Sequence, residues 1–369
     1  MTCLPRPFVV VPLVLLCALG AGPSGPVDGG SIVRVASLGV PRAAHTTTPL
    51  PGGRLLVAGG MGSGGGSLSG AEILDSSRDA VRSVASLARA RAGHTATALP
   101  DGRVVLIGGY DGSYLRSVEV FDPAAERFQE MGELLEGRSG HTATLLADGR
   151  ILLVGGVGQG WSFLSSAELF DPSTGESAIV GSMGVARESH TATLLDDGRV
   201  LVVGGHRGRR QAMEVYAGAE IYDPAVGGFA PTGSMTTPRH KHDAVRLADG
   251  RVLVVGGADR TDHRYFRTTE IYDATRGSFA PGPSMNGSRY KIQGTAVRLP
   301  DGGILIPSGA RTAEIMDPAA SSFRTVDGTF PDAYYFATAT PVPDGDVLII
   351  GGYGLGNQTT GGVWRFRPR

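Results

Sequence analysis

An all-β fold, seven four-stranded blades closed into one ring, is what this 369-residue sequence predicts, and three observations predict it. First, a phrase typified by "RESHTATLLDDGRVLVVGG", starting at Arg187, recurs from Arg42, Arg91, Arg138 and, more loosely, Arg239. Second, its histidines (His45, His94, His141, His190 and His242) lie 49, 47, 49 and 52 residues apart, a period suited to β-propeller blades. Third, the two ends complement each other. "IVRVASLGVPRAAHT" from Ile32 aligns with "VRSVASLARARAGHT" from Val81 at an offset of 49, which makes the N-terminal segment an outer strand without a blade. "ATATPVPDGDVLIIGG" from Ala337 and "GVWRFRP" from Gly362 form a blade that lacks its outer strand. Pairing the two closes the ring and leaves no sheet edge open.

Each strand has its own signal. In the unit from Arg187, "HTATLL" alternates and reads as strand a, packed on one face. Asp197-Gly198 is a two-residue hairpin turn in which glycine supplies positive φ. "RVLVVGG" is a continuous apolar run, as expected of a strand b buried on both sides. "AEIYDP", Ala219 to Pro224, reads as strand c, closed by an Asp-Pro turn; "GFAPTGSM" reads as strand d, at an outer edge that tolerates proline. A sixth unit continues at "GTAVRLPDGGILIPSG" from Gly294, and the seventh is the one from Ala337.

The first 20 residues read as a signal peptide. Arg6 gives a positive start, "FVVVPLVLLCAL" is apolar but too short to span a bilayer, and Ala18 to Gly20 offers small residues for cleavage. Residues 21–30 are a short linker and 31–369 a single propeller, so the expected location is secreted or periplasmic. Lipid attachment at Cys17 is less favoured because bulky Leu16 precedes it. Cys3 and Cys17 both lie in this leader, so the mature chain is expected to carry no thiol, disulfide or thiolate metal site. Formal net charge is −1, which favours neither nucleic acid nor an anionic membrane as partner.

Repetition separates scaffold from site, since a building residue is needed in every unit and a catalytic residue usually once. Arg precedes strand a at Arg42, Arg91, Arg138, Arg187 and Arg239, with Lys291 taken as its blade-six counterpart. Glu occupies strand c at Glu72, Glu119, Glu168, Glu220, Glu270 and Glu314. In blade seven the two positions become Tyr334 and Trp364, and their joint loss predicts that Arg and Glu form a repeated, partly buried ion pair. The repeated histidines are spread around a wide ring and read as structural rather than as metal ligands.

The Gly-Gly doublets that end strand b (Gly59-Gly60, Gly108-Gly109, Gly155-Gly156, Gly204-Gly205, Gly256-Gly257 and Gly351-Gly352), with the "AE(I/L)(F/Y)DP" strands downstream, resemble the kelch-type propellers. Within them the chain is similar to bacterial exported proteins laid out like the propeller domain of galactose oxidase. The resemblance spans essentially the whole mature chain, although the Tyr and Trp common after the doublet are mostly absent. It implies the fold; function in so diverse a family must come from the site. Galactose oxidase uses copper with a tyrosine crosslinked to cysteine, and a mature chain without cysteine cannot build that radical cofactor. No HExxH, GxSxG or P-loop occurs, and no cofactor is expected.

Irregularity concentrates on the face that carries the d-to-a and b-to-c connections, and loops held by a rigid scaffold commonly carry function. The b-to-c loops of blades four and five are the longest and bring His206, Arg209, Arg210, His263, Arg264, Tyr265 and Arg267. The entrances to strand a diverge at "RHKH" (239–242), "SRYKIQG" (288–294) and "DAYYFA" (332–337). The chain's two lysines, Lys241 and Lys291, both sit at these entrances. The candidate ligand site is therefore His240, Lys241, His263, Arg264, Tyr265, Arg267, Tyr290, Lys291, Gln293, Tyr334 and Tyr335, with tyrosines to stack and cations to fix a carboxylate or phosphate. Copper held by His240, His242 and His263 has no diagnostic spacing. Loops of blades one to three carry little charge and are expected to form a neutral wall. The expected activity is a binding module for a glycan, a small anionic metabolite or a protein partner; the alternative is a non-redox isomerase or epimerase, lyase or hydrolase at the same pocket.

Overall fold

The computed structural model describes residues 30–368. The leader, its two cysteines and most of the linker lie outside the described residues. Seven four-stranded antiparallel sheets follow one another around a ring, joined by two small two-stranded ribbons in the b-to-c loops of blades three and four. In blade four the strands are a, Thr191–Leu194; b, Val200–Val203; c, Ala219–Asp223; and d, Gly228–Pro231. Val202 stands opposite Ala192 on one side and Glu220 on the other. Strand b is fully buried, as its unbroken apolar run requires. The core lies between blades: Val200, Val202 and Tyr222 of blade four pack on Leu152, Val154 and Ala167 of blade three, and similar clusters recur around the ring.

The predicted closure is present. Ser31–Ser37 forms the outer strand of blade seven, antiparallel to Gly362–Arg367. Ile32 joins the core around Trp364 and Phe366, and its amide donates to the Asp327 carbonyl of blade six.

The doublet glycines show why nothing larger fits there. Gly204 and Gly205 have φ of +63° and +86°, and a Cβ on Gly204 would meet the Arg239 carbonyl and the His242 ring, each at 2.7 Å. The Gly204 carbonyl in turn accepts from Arg187 Nη1 at 2.8 Å. The doublet therefore joins its own blade to the next one.

The repeated ion pair is also present. Arg138 Nη2 lies 2.6 Å from Glu168 Oε1, with both side chains fully buried, and the other blade pairs range from 2.6 to 3.1 Å. Each glutamate also accepts a backbone amide from the corner ahead of strand a, as Glu168 does from Leu135 at 2.7 Å. That satisfies lone pairs which burial would otherwise leave costly. Blade six requires a correction. Glu314 is paired with Arg289 at 2.9 Å, not with Lys291. Arg289-x-x-Ile292 repeats the Arg239-x-x-His242 spacing and puts Lys291 two residues beyond the pairing position. In blade seven Tyr334 and Trp364 replace the pair and pack on each other, ring centroids 4.8 Å apart.

Candidate functional site

The site begins with a backbone device. The second residue after each pairing position is left-handed: Ala44, Gly93, Gly140, Ser189, Lys241, Lys291 and Phe336, with φ between 49° and 65°. Their amides and carbonyls link blade to blade in six bonds of 2.9–3.2 Å, among them Lys291 N to Lys241 O and Phe336 N to Lys291 O. This ring circles the top of the central channel. None of the seven residues is β-branched, as a left-handed backbone demands. Four blades place small residues on the ring, and the three consecutive blades five to seven place Lys241, Lys291 and Phe336 there.

Below the ring the channel encloses about 450 Å³, lined by threonines and histidines of the a strands, with Gln293 and Asp243. Each repeated histidine donates to or accepts from the threonine of the preceding blade, as His190 Nε2 does with Thr142 Oγ1 at 3.1 Å. Their use is structural, and burial, reinforced by Arg187, pushes His190 down to about 3. Blade six has Ile292 instead. There Asp243 spans the gap, taking the Thr295 and Ala296 amides at 2.7 and 2.6 Å. Burial holds Asp243 up at about 6, against the pull of those amides.

Two clusters stand at the lysine side of the mouth. In the first, Lys291 Nζ lies 2.5 Å from the Tyr353 hydroxyl and 4.9–5.8 Å from the ring centroids of Tyr290, Tyr335, Phe336 and Tyr353. Among the described residues it forms no ion pair. Tyr265 stacks on Tyr290 at 3.9 Å and 8°, leaving its outer face exposed. Burial lowers Lys291, partly offset by Asp262 and Tyr265; burial pushes Tyr353 up to about 12 and Tyr290 further.

The second cluster is a chain of titratable groups. His206 Nε2 is 3.2 Å from Glu188, the two Nδ1 atoms of His206 and His240 are 3.2 Å apart, and His240 Nε2 faces the Asp259 carbonyl at 3.1 Å and Asp262 at 3.2 Å. Asp262 then accepts from Lys241 Nζ at 2.6 Å. A carbonyl can only accept, so His240 Nε2 carries a proton. The His206–His240 pair is thus set between two carboxylates, Glu188 and Asp262. Burial works against the charge on His240, with Asp262 favouring it. Burial also works to raise Asp262, yet the bonds from His240 and Lys241 hold it well below the usual carboxylate range.

Of the residues singled out from sequence, Tyr265, Tyr290, Lys291 and Tyr335 meet in the first cluster, and His240 and Lys241 in the second. Gln293 lines the channel beneath, its Oε1 buried and unpartnered. His263 and Arg267 are exposed on the blade-five loop. Arg264 turns to a separate groove beside Phe266, Glu214 and Pro238. Tyr334 is withdrawn into the core against Trp364 and Phe330. Sequence reading did not single out Phe336, Tyr353, Asp262 or Glu188. It also missed the character of the opposite wall, where Tyr110, Tyr114 and Trp161 cluster and Arg209 lies 3.9 Å over the Trp161 ring. That wall is aromatic, and the cation over it comes from the blade-four loop. Among the described residues no group of three or more His, Cys, Asp or Glu is arranged to hold a metal ion; His242 turns to Thr191, away from His240 and His263. Nor is any described helix long and apolar enough to cross a membrane.

Comparison with known proteins agrees with this architecture. No curated sequence matches the chain. A solved fungal alcohol oxidase of the AA5 family, in complex with copper, superposes with a TM-score of 0.71 over 93% of this chain and 76% of that one, at 17% identity. At that identity the likeness concerns the fold alone. Residues 93–280 match the family described as the KLHDC2/KLHL20/DRC7 Kelch-repeats domain. With half its length in that match and its blades built on the doublet-and-pair repeat, the chain belongs to the Kelch-repeat family.

Proposed function

We propose that this protein is an exported binding module that takes a glycan, a small anionic metabolite or a protein partner at the top-face mouth of blades four to seven. A Kelch propeller is in general a binding or interaction module, and one observation carries the finer reading. Three consecutive positions of an otherwise small-residue ring bear Lys241, Lys291 and Phe336, with exposed Tyr265 beside them. Four blades build the same ring from Ala, Gly or Ser, so the scaffold does not require lysine there, whereas a ligand gains a cation and stacking faces at the mouth of a channel. Lys241 is already neutralised by Asp262, so of the two ring lysines Lys291 is the one without a carboxylate partner among the described residues. The test is a glycan array and a small-anion screen with the chain starting at residue 21, any hit being repeated with Lys291→Ala. Retained affinity in that variant would count against the assignment. Export is tested separately, by the N-terminal sequence of the protein recovered outside the cytoplasm.

A second reading, a non-redox enzyme acting on a sugar or small anion, is favoured by the Glu188–His206–His240–Asp262–Lys241 chain. Such a chain can hold and move a proton beside the mouth.

A further inference from the structure

Two lysines in one chain, adjacent on one ring, differ sharply in their surroundings. Lys241 Nζ is held by a carboxylate at 2.6 Å and is 15% exposed. Its charge is matched, and an ammonium so matched has no lone pair to offer. Lys291 has no carboxylate partner among the described ion pairs, is half-buried among four aromatic rings, and touches one hydroxyl, that of Tyr353. Removing a lysine from water without an anion to replace the water favours the neutral amine, and burial does lower Lys291 while the mouth is empty; a bound anionic group supplies the missing counter-charge and restores the ammonium. The rings oppose this in part through cation–π attraction. Tyr353 remains a protonated phenol across the physiological range, since burial holds it up at about 12.

We propose that Lys291 is a nucleophilic amine that forms an imine with a small aldehyde or ketone, with the Tyr353 hydroxyl moving the proton. Resting on the reading of the mouth as the ligand site, this names the reactive group of the ligand, a carbonyl. The neutral Nζ adds to the carbonyl carbon, forming the C–N bond while the C=O π pair moves to oxygen. The nitrogen proton passes through Tyr353 to that oxygen, giving a carbinolamine. Tyr353 then protonates the hydroxyl, which leaves as water as the nitrogen lone pair forms C=N; the proton lost from nitrogen restores the phenol. Carbonyl plus amine gives imine plus water, with nothing oxidised or reduced.

The sequence makes the test unusually clean, because a lysine adduct can sit at only two side chains. The chain from residue 21 is incubated at pH 7 with glyoxylate, an anionic aldehyde, or propionaldehyde, a neutral one, and sodium cyanoborohydride, then mapped by peptide mass. Lys291 has no carboxylate partner among the described residues while Lys241 is held by Asp262 at 2.6 Å, so trapping at Lys291 should exceed that at Lys241 severalfold. Tyr353→Phe should slow trapping at Lys291 while leaving Lys241 unchanged. Faster trapping by glyoxylate would make the carbonyl ligand anionic; equal trapping by both aldehydes would leave recognition to the carbonyl alone, and either supports the amine. Equal labelling of the two lysines, or no labelling of Lys291, overturns the proposal. In that case binding of a screened ligand that still depends on Lys291 would leave the non-covalent reading standing.

Discussion

Blades one to four and blades five to seven share one backbone ring and build opposite things on it. On the first side the ring residues are Ala44, Gly93, Gly140 and Ser189, the histidines of strand a are bonded to threonines, and every Arg–Glu pair is present. On the second, side chains crowd the ring, Ile292 and Ala337 replace histidine, Asp243 bridges a gap, and in blade seven the ion pair becomes Tyr334 against Trp364. The fold tolerates each departure because each is compensated locally: both charges leave together, or one acceptor replaces another. Scaffold and site can thus be told apart by whether a break in the repeat is repaired inside the core or left standing at the mouth.

The largest effect should come from breaking the ring at its seam. A chain starting at Gly39 loses the strand that covers Trp364 and Phe366 and buries Ile32. At about 1.5–3 kcal/mol for each large apolar side chain uncovered, the loss should be about 5 kcal/mol or more relative to a chain starting at residue 21. Equal urea midpoints for the two chains would contradict closure by this strand. Next come the two kinds of pair. Glu119→Ala and Arg91→Ala should each cost about 3–5 kcal/mol, because each removes the one described ion-pair partner of a buried charge, and the double variant should cost far less than their sum. Tyr334→Ala and Trp364→Ala should each cost a similar 3–5 kcal/mol through lost packing, with a coupling of only about 0.5–1.5 kcal/mol. Urea unfolding of both cycles distinguishes charge compensation from packing.

A smaller effect depends on pH. His190 stays neutral in the fold to about pH 3, whereas it takes a proton near pH 6.5 when unfolded. The unfolded state therefore binds more protons as pH falls below 6.5, and stability is lost in that window down to about pH 3. His45 is likewise pushed to about 3 by burial and Arg42. Asp243, raised to about 6, acts in the opposite sense: the fold holds its proton where the unfolded chain has lost it, so it adds stability as pH falls from 6 towards 4. Replacing one histidine by the blade-six residue, His190→Ile, should reduce the stability lost between pH 7 and pH 5 by about 2 kcal/mol. An unchanged loss would mean that the histidine ring is not what makes the fold acid-sensitive.

Most of the scaffold was legible because it is written several times over. Strand order, the seam at Ser31–Ser37 and the substitution of Tyr334 and Trp364 all follow from aligning the repeats. Blade six departs from the expected Lys291–Glu314 pairing because spacing outranks charge type: the Arg-x-x pattern identifies Arg289 as the partner. The mouth was legible only in part. That Lys241 and Lys291 are unusual is plain in the sequence; that Asp262 neutralises one and Tyr353 touches the other depends on loop paths that no repeat constrains. The His206–His240 contact likewise joins loops of different blades, and no local pattern announces it.

The smallest change in stability should accompany the largest change in function, and it bears most directly on the central claim that the mouth of blades four to seven carries the site. Lys291→Ala removes no ion pair and should shift stability by under about 1 kcal/mol. A hydrogen-bonded charge contact is worth about 1.5–3 kcal/mol, so affinity for an anionic ligand found by screening should fall ten- to a hundredfold. The decisive measurement is calorimetric titration of that ligand into the parent chain, Lys291→Ala, and Trp161→Ala on the opposite wall. A loss of that size is expected for Lys291→Ala, with near-parent affinity for Trp161→Ala. Parent affinity in Lys291→Ala with loss in Trp161→Ala would place the site on the other side of the ring.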